Sequence, residues 1–347
     1  MKAIRLVAVG RPLEMQDIPI PAFGEKDILV KIHAAGICHS DVHYRNGLSP
    51  VYPLPMTLGH EVAGVVEEIG RQVTNIDIGE RVCLHYNLTC GDCYYCTSGN
   101  EQFCEKVRML GHHAQGGYAE YITIPARNAI HLPDELPFDQ GATLMCASAT
   151  AFHALRKSRL EPGEVVAIFG VGGLGLSAVQ LAKAFGALTV FAVDINEEKL
   201  KFAAHYGAIA INAQRVDPVL EIRKLTNNKG ADVAIEMIGL PKTMRQAIQC
   251  LGILGRAVIV GLGNQPLEID TYHELLGSER EIIGSNDHLL QDLSVLVEMA
   301  RRRVLDLSKV VTRTIPLDPD AINAALDALE GFSSDVRTVI VQEEAHG

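Results

Sequence analysis

The stretch that most restricts how this chain folds is Gly170-Val171-Gly172-Gly173-Leu174-Gly175, because of what flanks it. A short apolar run, 165–169, leads into it, and a helical pattern over 174–185 follows. Each glycine of a G-x-G-x-x-G turn answers a separate steric need. Gly170 serves the tight turn, Gly172 the close approach of backbone to a pyrophosphate, and Gly175 the packing of helix on sheet. The helix start then offers unpaired N–H groups and the positive end of its dipole to phosphate. A second apolar run ends at Asp194, nineteen residues past Gly175. A carboxylate there holds ribose hydroxyls and repels a 2′-phosphate, which favours NAD over NADP, and Lys199 is a further contact to that ribose. Without the strand, the helix and the acid in these places, the glycines would be only a turn and Asp194 an ordinary cap. The same unit accounts for the uncharged stretch 165–182, which approaches a membrane span in length but is interrupted by four glycines, Ser177 and Gln180.

Around this motif, apolar and helical runs alternate at 189–193, 197–206, 233–235, 243–250 and 257–260. That rhythm predicts a doubly wound parallel sheet. Residues 1 to about 145 read differently, with short β-like runs at 28–32, 62–67, 81–84 and 118–124 among dense Gly and Pro. The tail is expected to hold an amphipathic helix over 289–302, a second helix after Asp318 with Asp320 as a candidate N-cap, and a closing strand over 337–341. Two domains suit 347 residues. A chain that is 48% apolar is not disordered, and a net charge of −11 argues against nucleic-acid or membrane partners. The start, MKAIRLVAVGRPLEM, lacks the long apolar segment of a secretory signal, so the expected setting is the cytoplasm, where thiols stay reduced.

Eight cysteines in such a setting point to metal. Cys90, Cys93, Cys96 and Cys104 follow a C-x2-C-x2-C-x7-C spacing that closes a tetrahedral, structural zinc site with no position left for water. An iron–sulfur cluster also takes four cysteines, but Glu105 stands where ferredoxin runs place proline. A zinc ribbon stacking bases on Tyr94 and Tyr95 is a third reading, weakened by the scarcity of nearby cations. Cys38, His60 and Cys146 would make a three-ligand site with one open position, as catalytic zinc requires. Taken singly, Cys146 could be a small core residue and His60 a satisfied loop histidine. Cys83 and Cys250 read as core thiols.

The segments GICHSDVH (36–43), GHEVAGVVEEIG (59–70), CGDCYYCTSGNEQFC (90–104), GGYAEY (116–121) and GVGGLG (170–175), with Cys146 and Asp194, together resemble the zinc-dependent medium-chain alcohol dehydrogenase family over essentially the whole chain. The resemblance implies an α/β protein with a GroES-like, mostly β catalytic domain (1–147 and 284–347) into which a Rossmann NAD-binding domain (148–283) is inserted. It implies reversible oxidation of primary or secondary alcohols to aldehydes or ketones with NAD, and two Zn²⁺ per chain. It makes Cys38, His60 and Cys146 the catalytic zinc ligands, and Asp41 the acceptor that orients His60. Glu61 is similar to a carboxylate that approaches the metal during ligand exchange. Ser40 and His43 look like a proton relay through the nicotinamide ribose. His39 and Arg337 match cofactor phosphate contacts, Gly170, Gly172, Gly173 and Gly175 the phosphate turn, and Tyr86 and Leu110 the substrate pocket. Relatives of this length imply a homotetramer, with a dimer as the alternative. Polyol dehydrogenases usually carry a carboxylate as third ligand, so Cys146 favours the alcohol dehydrogenase type. A polyol or other specialised dehydrogenase on the same machinery is the rival reading. A zinc-free reductase or a crystallin-like relative would lack the two ligand sets. His112-His113 receives no role, and the remaining histidines, His346 among them, read as structural or surface groups.

Overall fold

The computed structural model describes residues 1–331 and 335–342. Two compact units share the chain. One comprises Met1–Cys146, Leu289–Arg303 and the chain from Leu307 onward; the other comprises Ala147–His288 and Val304–Asp306.

The first unit is built on a long central strand, Asp27–Ile37, whose apolar residues are buried on both faces. Antiparallel neighbours flank it: Glu61–Ile69 on one side and Thr338–Val341 on the other, with Tyr121–Pro125 pairing along its first half. The sheet continues through Arg81–Leu84 to Ala129–His131 at one edge and ends at Arg313–Ile315 at the other. A smaller sheet joins Lys2–Leu6 to Glu14–Asp17 and Met56–Thr57. Ile4, Leu6, Ile28, Ile32, Met56, Leu58 and Tyr118 fill the core. The helix His39–Asn46 leaves the end of the central strand directly. Arg45 anchors it from beneath, pairing with Asp327 and Glu330 of the helix Pro319–Glu330. The latter helix is capped by Asp318, whose carboxylate accepts from the Ala321 N–H, and not by Asp320. The reason is Pro319: with φ preset and no N–H to lose, it takes the first helical position, so the cap falls on the residue before it, two positions ahead of Asp320.

In the second unit six strands form one wholly parallel sheet among the described residues. Their order is Ile209–Asn212, Thr189–Asp194, Val165–Phe169, Ala231–Glu236, Leu251–Ile259, Glu281–Gly284. Numbered by chain order this is 3-2-1-4-5-6, the doubly wound topology whose direction reverses beside the first strand. The edge strand Ile209–Asn212 and the helix Pro218–Leu225 add one further strand–helix pair to the alternation; the strand's apolar run, 208–211, is only four residues long, and Ile209 and Ala210 are exposed at the sheet edge. The run at 118–124 becomes a strand only from Tyr121, because Tyr118 belongs to a turn that packs on Leu58 and Gly59.

No helix among the described residues is long and apolar enough to cross a membrane. Gly175 illustrates how tightly the second unit closes around its first turn: a Cβ there would stand 1.9 Å from the Gly170 carbonyl oxygen. Gly175→Ala is therefore expected to destabilise this unit by about 2–4 kcal/mol, read as a shift of its denaturation midpoint. An unshifted midpoint would show that the turn gives way freely.

Candidate active site

Three neighbouring strands deliver the first cluster. The central strand ends at Ile37, so Cys38 emerges at its tip; register sets Glu61 opposite Gly36 on one side and Thr338 opposite Ile37 on the other. Arg337, one residue before Thr338, thereby reaches Glu61 and forms a buried ion pair with it. Gly36 must lack a side chain, because a Cβ would collide with Glu61 Oε2. Cys146 arrives from a different element, a π-helical turn, Leu144–Ser148, between the helices Phe138–Thr143 and Ala149–Ser158. Such one-residue expansions often mark functional positions, and nothing in the sequence pattern announces this one.

The ligand-type atoms of Cys38, His60, Glu61 and Cys146 all lie within 4.8 Å of one another, and all four residues are buried. The Cys38 and Cys146 sulfurs are 4.0 Å apart, and neither residue is in a disulfide. Two thiolates about 2.3 Å from one tetrahedral zinc stand about 3.8 Å apart, so the pair fits a shared metal, whereas a disulfide requires about 2 Å. Glu61 Oε2 is buried without a hydrogen-bond partner, an unmet acceptor facing the same cluster. His60 Nδ1 lies 3.5 Å from Asp41 Oδ1, which leaves Nε2 as the ring nitrogen for a metal.

Electrostatics agree with this geometry. The Cys146 thiol and, more distantly, the Arg337 guanidinium hold the Cys38 thiol well below the ordinary range despite burial. Burial opposes charge on His60, but Asp41 and Cys38 outweigh it and raise the ring to about 10. A metal ion bound here would displace the proton that His60 otherwise holds.

Asp41 is the third residue of the helix His39–Asn46, and its carboxylate reaches back to the Cys38 N–H at 2.9 Å in a capping-box arrangement. It also accepts from the Gly59 N–H at 3.3 Å and from the Tyr118 hydroxyl at 2.8 Å. Ser40 Oγ is 3.7 Å from Cys38 Sγ. His43 lies one helical turn on from Ser40, half-buried, with its ring against exposed His39. Burial and the His39 charge lower its pKa. Tyr86 packs edge-on against the His60 ring at 5.2 Å, and Leu110, also buried, donates its N–H to the Tyr86 carbonyl. His112 sits on Tyr44 and bonds Ser49 and His113. Patterns do not distinguish Gly36, Gly59, Tyr44 and Tyr118 as site residues, although Gly36, Gly59 and Tyr118 lie in the quoted motifs. His346 lies outside the described residues.

The second cluster is the cysteine lobe. Cys90 and Cys96 sulfurs are 3.9 Å apart, and Cys104 and Cys90 sulfurs 3.5 Å, again the spacing of one tetrahedral ion. Backbone N–H groups of Cys90 and Lys106 point at the Cys104 sulfur, and those of Cys96 and Glu105 lower the Cys93 thiol to about 6. Amides aimed at the Cys93 sulfur favour its thiolate, the form that binds metal, whereas Asp92 beside Cys90 pushes that thiol up to about 12 and burial raises Cys96. Cys83 and Cys250 are fully buried elsewhere, and burial pushes both thiols up to about 12.

In the second unit, Gly170 (φ 89°) turns the chain out of Val165–Phe169 and Gly172 starts the helix Gly173–Ala184 with no side-chain cap. The first amides of that helix are thus open to a ligand, and the space where a Gly172 Cβ would lie is empty to 4 Å. Asp194, at the end of the adjacent strand, accepts from the Val171 N–H at 2.8 Å and from Ile195 and Asn196, which fixes the acid beside the turn. Lys199 lies half-buried one turn into the following helix, Glu197–His205. Residues suited to a dinucleotide are therefore in place.

Comparison with known proteins gives a consistent result. Residues 24–134 match the model of the alcohol dehydrogenase GroES-like domain, and residues 173–300 that of the zinc-binding dehydrogenase domain. An NAD-dependent alcohol dehydrogenase of Sulfurisphaera tokodaii is 38% identical, over 98% of this chain and 100% of that protein. The crystal structure of an alcohol dehydrogenase from Aeropyrum pernix superimposes with a TM-score of 0.90 at 36% identity, covering 99% of this chain and 100% of that one. That of 2R,3R-butanediol dehydrogenase from Bacillus subtilis gives 0.89 at 31%, covering 99% of each.

If each cluster holds one ion, the purified protein carries about two per chain. Cys104→Ser should reduce this to about one, with a lowered melting temperature, as measured by elemental analysis and calorimetry. Retention of two ions would remove the cysteine lobe as a metal site.

Proposed function

Because the chain belongs to the zinc-dependent medium-chain alcohol dehydrogenase family, we propose that it reversibly oxidises primary or secondary alcohols to aldehydes or ketones, passing hydride to NAD. The observation that carries this reading is the buried trio Cys38, His60 and Cys146, two thiols 4.0 Å apart beside an imidazole already oriented by a carboxylate. A closed four-thiolate lobe serves structure; three ligands leave room for substrate.

Zinc, when bound, supplies the Lewis acidity that polarises the substrate oxygen and lowers an alcohol's pKa, and NAD supplies the hydride acceptor. The chain's own residues do the rest. Cys38, Cys146 and His60 hold the ion, and Asp41 fixes the imidazole tautomer. Glu61, balanced by Arg337, keeps a second carboxylate near the ion for ligand exchange. Ser40 accepts the substrate's hydroxyl proton at Oγ and releases its own toward His43. That imidazole, its pKa below the ordinary value, is neutral at pH 7 and can take the proton to solvent. His39 and Arg337 are assigned to the cofactor phosphates, Gly170, Gly172, Gly173 and Gly175 to the pyrophosphate turn, and Asp194 with Lys199 to the ribose. Tyr86 and Leu110 are assigned to the substrate pocket. The domain reading is a catalytic unit, 1–147 and 284–347, interrupted by a nucleotide unit, 148–283. The working form is a cytoplasmic homotetramer. A specialised diol substrate is the second reading, favoured by the likeness to the butanediol enzyme.

Cys38→Ser should lower kcat on the order of a thousandfold or more while NAD affinity stays within about twofold. Wild-type turnover in that variant would refute the metal assignment. Asp194→Gly should shift the NAD-to-NADP preference by about tenfold to a hundredfold toward NADP, as measured by kcat/KM with each cofactor. An unchanged ratio would leave the ribose contact without support. A panel of primary, secondary, aromatic and diol substrates, followed by NADH absorbance, separates the two substrate readings.

A further inference from the structure

Tyr118 is a fully buried tyrosine on the turn Gly116-Gly117-Tyr118, far in sequence from every residue assigned to the metal. Its hydroxyl donates to Asp41 Oδ2 at 2.8 Å. Its ring fills the space that Gly59 leaves open: a Cβ on Gly59 (φ 91°) would stand 2.4 Å from the Tyr118 ring. Its backbone is tied to the same segment, its N–H donating to the Leu58 carbonyl at 3.0 Å and the Gly117 N–H to the Gly59 carbonyl at 2.8 Å. One residue thus braces the loop that presents His60 and Glu61 and, through its hydroxyl, the carboxylate that faces His60.

We propose that Tyr118 is a positioning residue of the catalytic zinc site, acting through Asp41 to set the place and direction of His60. The inference rests on the reading of Cys38, His60 and Cys146 as zinc ligands. Asp41 is wholly buried, and no Lys or Arg pairs with it among the described residues; its negative charge is stabilised by donors alone. Of these, the Cys38 and Gly59 amides belong to the backbone and cannot be spared by the fold. The Tyr118 hydroxyl, the shortest of the contacts, is the one side-chain hydrogen-bond donor to Asp41 among the described residues; His60 Nδ1 stands farther off, 3.5 Å from Oδ1. Removing it leaves Oδ2 on the Cys38 amide alone and frees the carboxylate to rotate away from His60. Groups that hydrogen-bond a ligand's partner tune metal affinity, typically by tenfold to a hundredfold where the ligand is contacted directly.

Tyr118→Phe tests this, since it removes one oxygen and keeps the ring against Gly59. The wild-type protein is first titrated with a chelator. If it holds no zinc beyond that of the cysteine lobe, the metal reading fails and the inference with it. With two zinc ions in the wild type, the variant should keep the lobe zinc at unchanged affinity, which also reports an intact fold. It should lose the other zinc at a chelator concentration roughly tenfold lower. Co²⁺ exchanged into that site should give a shifted visible spectrum in the variant, and kcat should fall while KM for NAD is unchanged. Equal zinc affinity with a superimposable cobalt spectrum overturns the positioning role and leaves the metal reading standing.

Discussion

A single buried carboxylate organises the first unit. Asp41 is inaccessible to water, and an ionised group there is tolerable only if donors replace its hydration. Those donors come from three segments distant in sequence, the Cys38 amide, the Gly59 amide and the Tyr118 hydroxyl, and the His60 ring lies 3.5 Å from Oδ1. Satisfying the charge therefore draws together the strand end that carries Cys38, the turn that carries His60, and the glycine turn at 116–118. The desolvation cost and the assembly of a metal-binding geometry are the same event. A capping box at the start of an eight-residue helix is usually a local device. Here its acid does local and long-range work at once.

Much of the fold was legible because its signals are local. The run 165–169, the glycine turn and Asp194 are read from adjacent residues, and the structure has a strand, turn, helix and strand there. The cysteine lobe is equally local, four ligands within one short loop. What escaped depends on tertiary context. The strand Ile209–Asn212 is an edge whose apolar run, 208–211, is only four residues long, too short for periodicity alone to tell a strand from other structure. The cap of the last helix moved to Asp318 because Pro319 outranked the acid at 320 in fixing the first turn.

The site shows the same division. Ligand types could be picked from motif and resemblance, but the supports could not. Gly59 needs its positive φ and its missing Cβ only because the Tyr118 ring lies against it. Arg337 carries a charge that suits a phosphate, yet its partner within the unit is Glu61, a pairing set by strand register on either side of Asp27–Ile37. Neither relation leaves a trace in spacing. Each is a contact between strands or turns whose proximity the fold alone creates.

The π-helical turn at Leu144–Ser148 has a consequence of its own. Along a regular helix each residue advances the side-chain direction by about 100°. A turn that absorbs one extra residue resets that phase for everything on one side of it. Cys146, which meets Cys38, lies on this turn, and Met145 and Ala147 on either side of it are fully buried. The identity of the third donor is in that sense a matter of winding as well as of sequence. A deletion at 144 or 145, just ahead of Cys146, would shift by about 100° the direction in which that residue leaves the preceding helix, with no residue substituted.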